Sequence, residues 1–205
     1  MSIADLSADE RARIERTFEA LKARGVEPGF VADRPGALAA VLARIPKGAA
    51  VAHGSSTTLS EIGFIERMKR PGSGYRYLND EWTKENDPAK RNRLRARLTM
   101  EADYFLGSVQ AICETGEVIA ADAGGSRQAG YVFGPPHVIW VAGVNKLVPS
   151  VEAGMRRLRE VALPLEDQRM KTLGASGSAI GKIVIYERER PGRISLLLVG
   201  EPLGF

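Results

Sequence analysis

The sequence predicts one compact α/β domain, and three observations carry that reading. Short apolar runs (Tyr104 to Leu106, Val109 to Cys113, Val118 to Ala121, Val138 to Ala142) alternate with loops rich in glycine, hydroxyl and charged residues, the pattern of buried strands whose ends present backbone to a ligand. Ala49-Ala50-Val51-Ala52-His53 is almost wholly apolar, as a central parallel strand covered on both faces should be. Amphipathic segments of helical spacing lie around these runs. With 205 residues and 44% hydrophobic content, the chain is long enough for a continuous core.

In chain order, Ser7-Ala8-Asp9-Glu10 has the spacing of a capping box, with Ile14, Phe18 and Leu21 on one face until Gly25 closes the helix. Asp33 as N-cap and Pro35 in the first turn mark a second helix, with Leu38, Val41, Leu42 and Ile45 inward. After the strand ending at His53, Gly54-Ser55-Ser56-Thr57-Thr58 leads into Leu59, Ile62, Ile65 and Met68 at helical spacing. Gly54 would admit a ligand to the backbone, and Ser55, Ser56 and Thr57 offer hydroxyls beside a helix start, so a phosphate or carboxylate fits there. The competing reading makes Thr58 and Glu61 a capping box and the serines turn residues. His53 suits either substrate orientation or a satisfied structural role.

Pro71 to Glu85 has no clear periodicity and reads as an exposed crossover, with Tyr75, Tyr77 and Trp82 as packing anchors or interface residues. Asp87-Pro88 opens a helix whose Lys90, Arg91, Arg93, Arg95 and Arg97 surround Leu94 and Leu98; a solvated face is the ordinary account of such a helix. Cys113 to Glu117 suggests a hairpin turn, where Glu114 could be a nucleophile or general base. Asp122-Ala123-Gly124-Gly125-Ser126-Arg127 gathers free backbone N–H groups beside a cation, an anion site in outline; a tight turn with a solvated Arg127 is the alternative. The strand from His137 to Ala142 ends at Gly143-Val144-Asn145-Lys146, placing Asn145 and Lys146 where strand ends collect ligands in open α/β sheets. Ser150 starts a helix with Val151, Met155, Leu158 and Val161 inward, ending before Pro164. Lys182 to Tyr186 and Ile194 to Val199 read as strands paired around Arg190 to Arg193.

The net charge of +4 is uneven, since Arg67 to Arg97 holds ten Lys/Arg against four Asp/Glu. Without aromatic interleaving or a recognised motif, this segment does not predict nucleic-acid binding. No apolar run approaches the length of a membrane span, and a polar start with Asp5, Asp9 and Glu10 is unlike a signal peptide; a cytoplasmic protein is the expectation. The single Cys113 cannot form an internal disulfide or supply the thiolates of a cluster or cysteine zinc site. No metal site is predicted.

Taken together, IPKGAAVAHGSSTTLSEIGF, the stretch from Ala102 to Val148 and the ending PGRISLLLVGEPLGF resemble the LUD-domain family, the lactate-utilisation protein C and related proteins. The resemblance covers about Asp33 to Phe205, with residues 1–32 as a helical segment packed on that domain. It implies a three-layer α/β/α sandwich around a mainly parallel sheet, the fold shared by glucosamine-phosphate isomerase, ribose-phosphate isomerase and coenzyme A transferases. It also supports phosphate holding by the Gly-Ser loop, and likens Glu114-Thr115-Gly116 to the turn bearing the nucleophilic glutamate of some coenzyme A transferases. Many relatives carry a cysteine-rich insertion before the last strands; Lys171 to Lys182 has no cysteine, so a role of that insertion does not transfer.

The implied function is an accessory component of L-lactate oxidation to pyruvate, with no intrinsic cofactor and with iron-sulfur clusters in partner subunits. The alternative is a self-sufficient enzyme or binding protein for a small phosphorylated, acylated or carboxylated metabolite. It would use Gly54, Ser55, Ser56, Thr57, Gly124, Gly125, Arg127, Asn145 and Lys146. Whether the chain is catalytic alone, and whether it forms a homo-oligomer, are left open by the sequence.

Overall fold

The computed structural model describes Ile3 and residues 6–205; Asp5 lies outside them. A six-stranded, all-parallel sheet forms the centre, in the order β1 (Val26–Val31), β10 (Ile194–Val199), β7 (His137–Gly143), β4 (Tyr104–Gly107), β2 (Ala50–His53), β3 (Arg76–Tyr77). Its central strands are apolar on both faces because both are covered. Val51, Leu106, Ile139, Val141, Leu197 and Val199 face a layer containing α2 (Arg34–Arg44), α3 (Thr57–Glu61) and α4 (Phe64–Lys69). Ala52, Phe105, Val138, Trp140, Leu196 and Leu198 face the opposite layer. That layer contains α1 (Ala8–Ala23), α5 (Leu78–Thr83), α6 (Pro88–Glu101) and α7 (Ser126–Val132). The expected three-layer α/β/α arrangement is therefore present.

A second sheet, in the order β8 (Leu147–Val148), β5 (Ala111–Cys113), β6 (Val118–Asp122), β9 (Lys182–Tyr186), adds to it. Ile112, Val118 and Ala120 join the core on the Trp140 side. Ala111, Cys113, Ile119 and Ala121 pack with Leu158 and Ala162 of the following helical segment. The β5–β6 hairpin is antiparallel as the sequence predicts.

Several expectations are corrected. Val26–Val31 is a strand of the main sheet, paired along its length with β10, although Pro28 and Gly29 make it a poor strand by propensity; it takes the edge position that tolerates them. The last two strands are not partners. β9 pairs with β6, while β10 lies between β1 and β7; β10, apolar except for Ser195, requires a place covered on both faces, which a terminal hairpin would not supply. Pro71 to Glu85 contains β3 and α5, with Tyr77 and Trp82 buried.

The helix expected to stop before Pro164 instead runs from α8 (Val151–Arg157) through a π-turn (Leu158–Ala162) into α9 (Leu163–Thr172). Pro164 has no N–H for the helical ladder, and the π-turn inserts the extra residue that lets the chain pass it. The insertion also shifts the register, so Ala162 is buried and Val161 is exposed. The capping box of α1 and the Asp33 cap of α2 form as expected. At α3 the cap is Ser56, which accepts from Leu59 N, in place of the Thr58 to Glu61 pairing.

Candidate functional site

The carboxyl ends of four parallel strands bring Ser55 and Ser56 (after β2), Ser108 (after β4), Lys146 (after β7) and Phe205 (beyond β10) around one cleft of about 510 Å³. Arg127 reaches the same cleft from the second sheet, so Ser56 and Arg127 share it. This is the crevice that an open parallel sheet creates beyond its strand ends.

Lys146 is the centre of the arrangement. Its side chain is almost wholly buried, 1% exposed, yet lines the cleft. Nζ donates to Ser108 Oγ at 2.8 Å and Thr58 Oγ1 at 3.2 Å. No carboxylate pairs with it among the described residues. Burial, followed by the charges of Arg157 and Arg127, lowers its pKa to about 7, against a weaker raising effect of Glu61. Arg157 is held in place by donating to Asn145 O and Gln110 O.

The Asp122 to Arg127 loop is built differently from the expected open nest of N–H groups. Asp122 accepts from Gly124 N, Gly125 N and Arg127 N, each at 2.9 Å. An internal carboxylate thus occupies the amides that were expected to meet a ligand. Gly125 caps α7 at φ +94°, a conformation that favours glycine. What the loop presents to the cleft is the Arg127 side chain, which donates from Nη2 to Ala121 O and lies 3.7 Å from Asp122 through Nε.

Gly54 has a similar indirect role. A Cβ there would lie 3.1 Å from Cγ and Cδ of Arg127, so its lack of a side chain makes room for the arginine stem. Gly54→Val should therefore displace Arg127 and weaken binding of a small anion by about tenfold, or 1.4 kcal/mol. Ser55→Ala, which removes only a 3.3 Å contact from Arg169, should cost less than about 1 kcal/mol. Calorimetric titration of both variants with phosphate and L-lactate checks the order; equal affinity of the two variants would detach Gly54 from the site.

Other candidates separate from the cleft. Asn145 ties the chain end, accepting from Leu203 N and donating to Gly204 O. Glu114, at the β5–β6 turn, accepts from Arg13 Nε at 2.7 Å and is not among the cleft residues. His53 accepts from the Tyr77 hydroxyl through Nε2 at 2.6 Å and, as a carbonyl only accepts, donates from Nδ1 to Gly54 O. Burial lowers its pKa to about 4, so the imidazole is neutral and structural at pH 7. Thr57 remains at the cleft wall.

Sequence reasoning did not single out Arg95, Ser108, Arg169 or the Ser176 to Ser178 segment, all of which line the cleft. Arg95 turns inward from α6 over the Trp82 ring at 6.0 Å, while Arg91, Arg93 and Arg97 of that helix stay exposed. Arg169 is clamped by Glu166 through two 2.7 Å contacts. Ser108 had a signal, since it follows an apolar run and Gly107 as Ser55 follows His53 and Gly54. A second hollow of about 510 Å³ shares Ser55, Ser56, Thr57, Arg95 and Arg169 with the first.

Four cationic side chains and two carboxylate side chains line the cleft. Asp122 and Glu166 are already engaged with Arg127 and Arg169, leaving Arg95 and Lys146 as the uncompensated positive charge. The cleft is thus suited to an anion small enough to meet hydroxyls and cations together. Among the described residues no group of three His, Cys, Asp or Glu side chains could hold a metal ion, and no helix is long and apolar enough to cross a membrane.

The fold and cleft define an α/β domain with a cationic, hydroxyl-lined crevice at its strand ends. The chain belongs to the LUD-domain family, whose model matches residues 14–199. A DUF162 family protein from Deinococcus radiodurans has a similar structure, with TM-score 0.55 and 14% identity over 95% of this chain and 99% of that one; at that identity the likeness shows the fold. eIF2B beta from Chaetomium thermophilum is more distant, at TM-score 0.33 and 14% identity over 70% of this chain and 47% of that one. No curated protein matches the chain.

Proposed function

We propose that this protein takes part in lactate utilisation by holding a small carboxylate in the Lys146 cleft, while electrons from lactate oxidation pass to iron-sulfur partner proteins. Membership of the LUD-domain family supports the lactate context. The observation that carries the ligand class is Lys146, a buried lysine with only hydroxyl partners at the base of a cleft. A carboxylate would supply its missing counter-charge. Lactate oxidation also releases two electrons, which side chains can steer toward an acceptor but do not accept. Cys113, the one cysteine, is buried with its thiol pushed up to about 12 by burial, so it offers no thiolate for that task.

The test combines binding and turnover. The anaerobically purified chain should bind L-lactate and pyruvate in calorimetry, and should reduce an artificial acceptor with lactate only when iron-sulfur partners are added. Lactate turnover by the isolated chain would contradict the accessory role. A second reading is a self-sufficient enzyme for a phosphorylated or acylated metabolite. The adjoining hollow behind Arg95 and Arg169 favours it by giving room for a longer ligand, and activity on sugar phosphates or acyl-coenzyme A would select it.

A further inference from the structure

We propose that Lys146 is a nucleophile, whose neutral amine attacks the carbonyl carbon of a small 2-oxo carboxylate held in the cleft and forms an imine. The inference rests on the carboxylate cleft proposed above. Three features of the site support it. First, Nζ is partnered by Ser108 and Thr58 hydroxyls, and the Thr58 hydroxyl itself lies 3.2 Å from that of Ser108. A carboxylate salt bridge would keep the amine protonated; a hydroxyl pair does not. Second, the charged groups acting on it are Arg157, Arg127 and the more weakly felt Glu61, so the balance around the amine is positive. Third, Arg95, the other cation of the cleft with no carboxylate partner among the described residues, can draw the carboxylate of a 2-oxo acid away from Lys146, leaving the adjacent carbonyl to face the amine.

The step balances without an outside oxidant. A C–N bond forms as the nitrogen lone pair adds to the carbonyl carbon, and the carbonyl oxygen takes a proton to give a carbinolamine. The C–O bond then breaks, and the oxygen leaves as water with the two hydrogens that the amine has lost. Ser108 and Thr58 are placed to pass those protons between nitrogen and oxygen. At pH 7 the neutral fraction of an amine with pKa about 7 exceeds that of an ordinary lysine by roughly three orders of magnitude. Lys146 should therefore react well ahead of exposed lysines.

The experiment is reductive trapping of the full chain with pyruvate and cyanoborohydride, followed by peptide mass mapping, with pyruvate binding measured in parallel by calorimetry. The expected result is one modified residue, Lys146, with a mass gain equal to pyruvic acid less one oxygen. Its labelling rate should rise with pH around a midpoint near 7, and Lys146→Met should abolish the adduct while circular dichroism shows the fold retained. Pyruvate binding without an adduct on Lys146 would overturn the nucleophile and leave the anion cleft standing. Absence of both binding and adduct would remove the anion cleft itself, and adducts scattered over exposed lysines would likewise overturn the inference.

Discussion

Lys146→Met is expected to give a protein more stable than the parent, with anion affinity at least about tenfold weaker. The ordinary lysine value of 10.5 falls to about 7 here, a difference that corresponds to at most about 5 kcal/mol against burial of the charged form. Methionine fills similar space without the charge, while the contacts to Ser108 and Thr58 lose about 1 kcal/mol each. The net gain should be about 1–3 kcal/mol, measured by urea denaturation at pH 7. The pH dependence has a definite sign. Between about pH 7 and the ordinary lysine range the unfolded chain binds more protons than the folded one, so parent stability rises with pH across that window. The advantage of the variant is therefore full below pH 7 and fades toward pH 10.5. A variant destabilised at pH 7 would show that Lys146 is held for packing, and the site would lose its principal support.

Arg193→Ala should have the opposite and larger effect. Arg193 is buried in the turn before β10, pairs with Glu189 at 2.6 Å and donates to the carbonyls of Pro135, Tyr131, Gly130 and Phe133. Removing it leaves Glu189 with only the backbone N–H of Arg190 and that residue's exposed guanidinium, 4.0 Å away, and several carbonyls short of donors, a loss of about 3–5 kcal/mol. Because three of those carbonyls belong to α7 and its C-cap, the helix that begins beside Arg127 would also lose its anchor. Denaturant midpoints and anion affinity should therefore fall together. A loss below about 1 kcal/mol would mean that water replaces the guanidinium at no significant cost.

The parts of this fold that were legible in the sequence are those where local pattern and tertiary demand coincide. The runs at Ala50–His53 and His137–Gly143 are apolar on both faces, and only a covered parallel sheet satisfies them. Ser7 and Asp33 announce their helices because their side chains bond within three residues. Failures come where partners are remote. Val26–Val31 contains Pro28 and Gly29 and becomes a strand only because β10 offers it an edge. No local feature distinguishes β9 as a partner of β6 rather than β10.

The site divides in the same way. Ser55, Ser56 and Lys146 follow strand ends, so topology alone delivers them to one cleft. Arg169 comes from α9, whose residues include none that is buried, and nothing in its surroundings foretells that it meets Ser55. Gly124 and Gly125 misled for another reason. The loop does collect amides as expected, but Asp122, two and three residues earlier, satisfies them from within. An acidic residue two positions before such a glycine pair is the sign that the nest is already filled.

The central claim is that Lys146 meets a small carboxylate at the base of the cleft. Its most direct test is calorimetric titration of L-lactate, which has no carbonyl to form an imine, into the parent and Lys146→Met proteins at pH 7 in two buffers of different ionisation enthalpy. A bound carboxylate favours the ammonium form, so the parent should take up a fraction of a proton on binding, and Lys146→Met should bind at least about tenfold more weakly, or 1.4 kcal/mol, with no uptake. Equal lactate affinity in the two proteins, with the same heat in both buffers, would contradict the assignment.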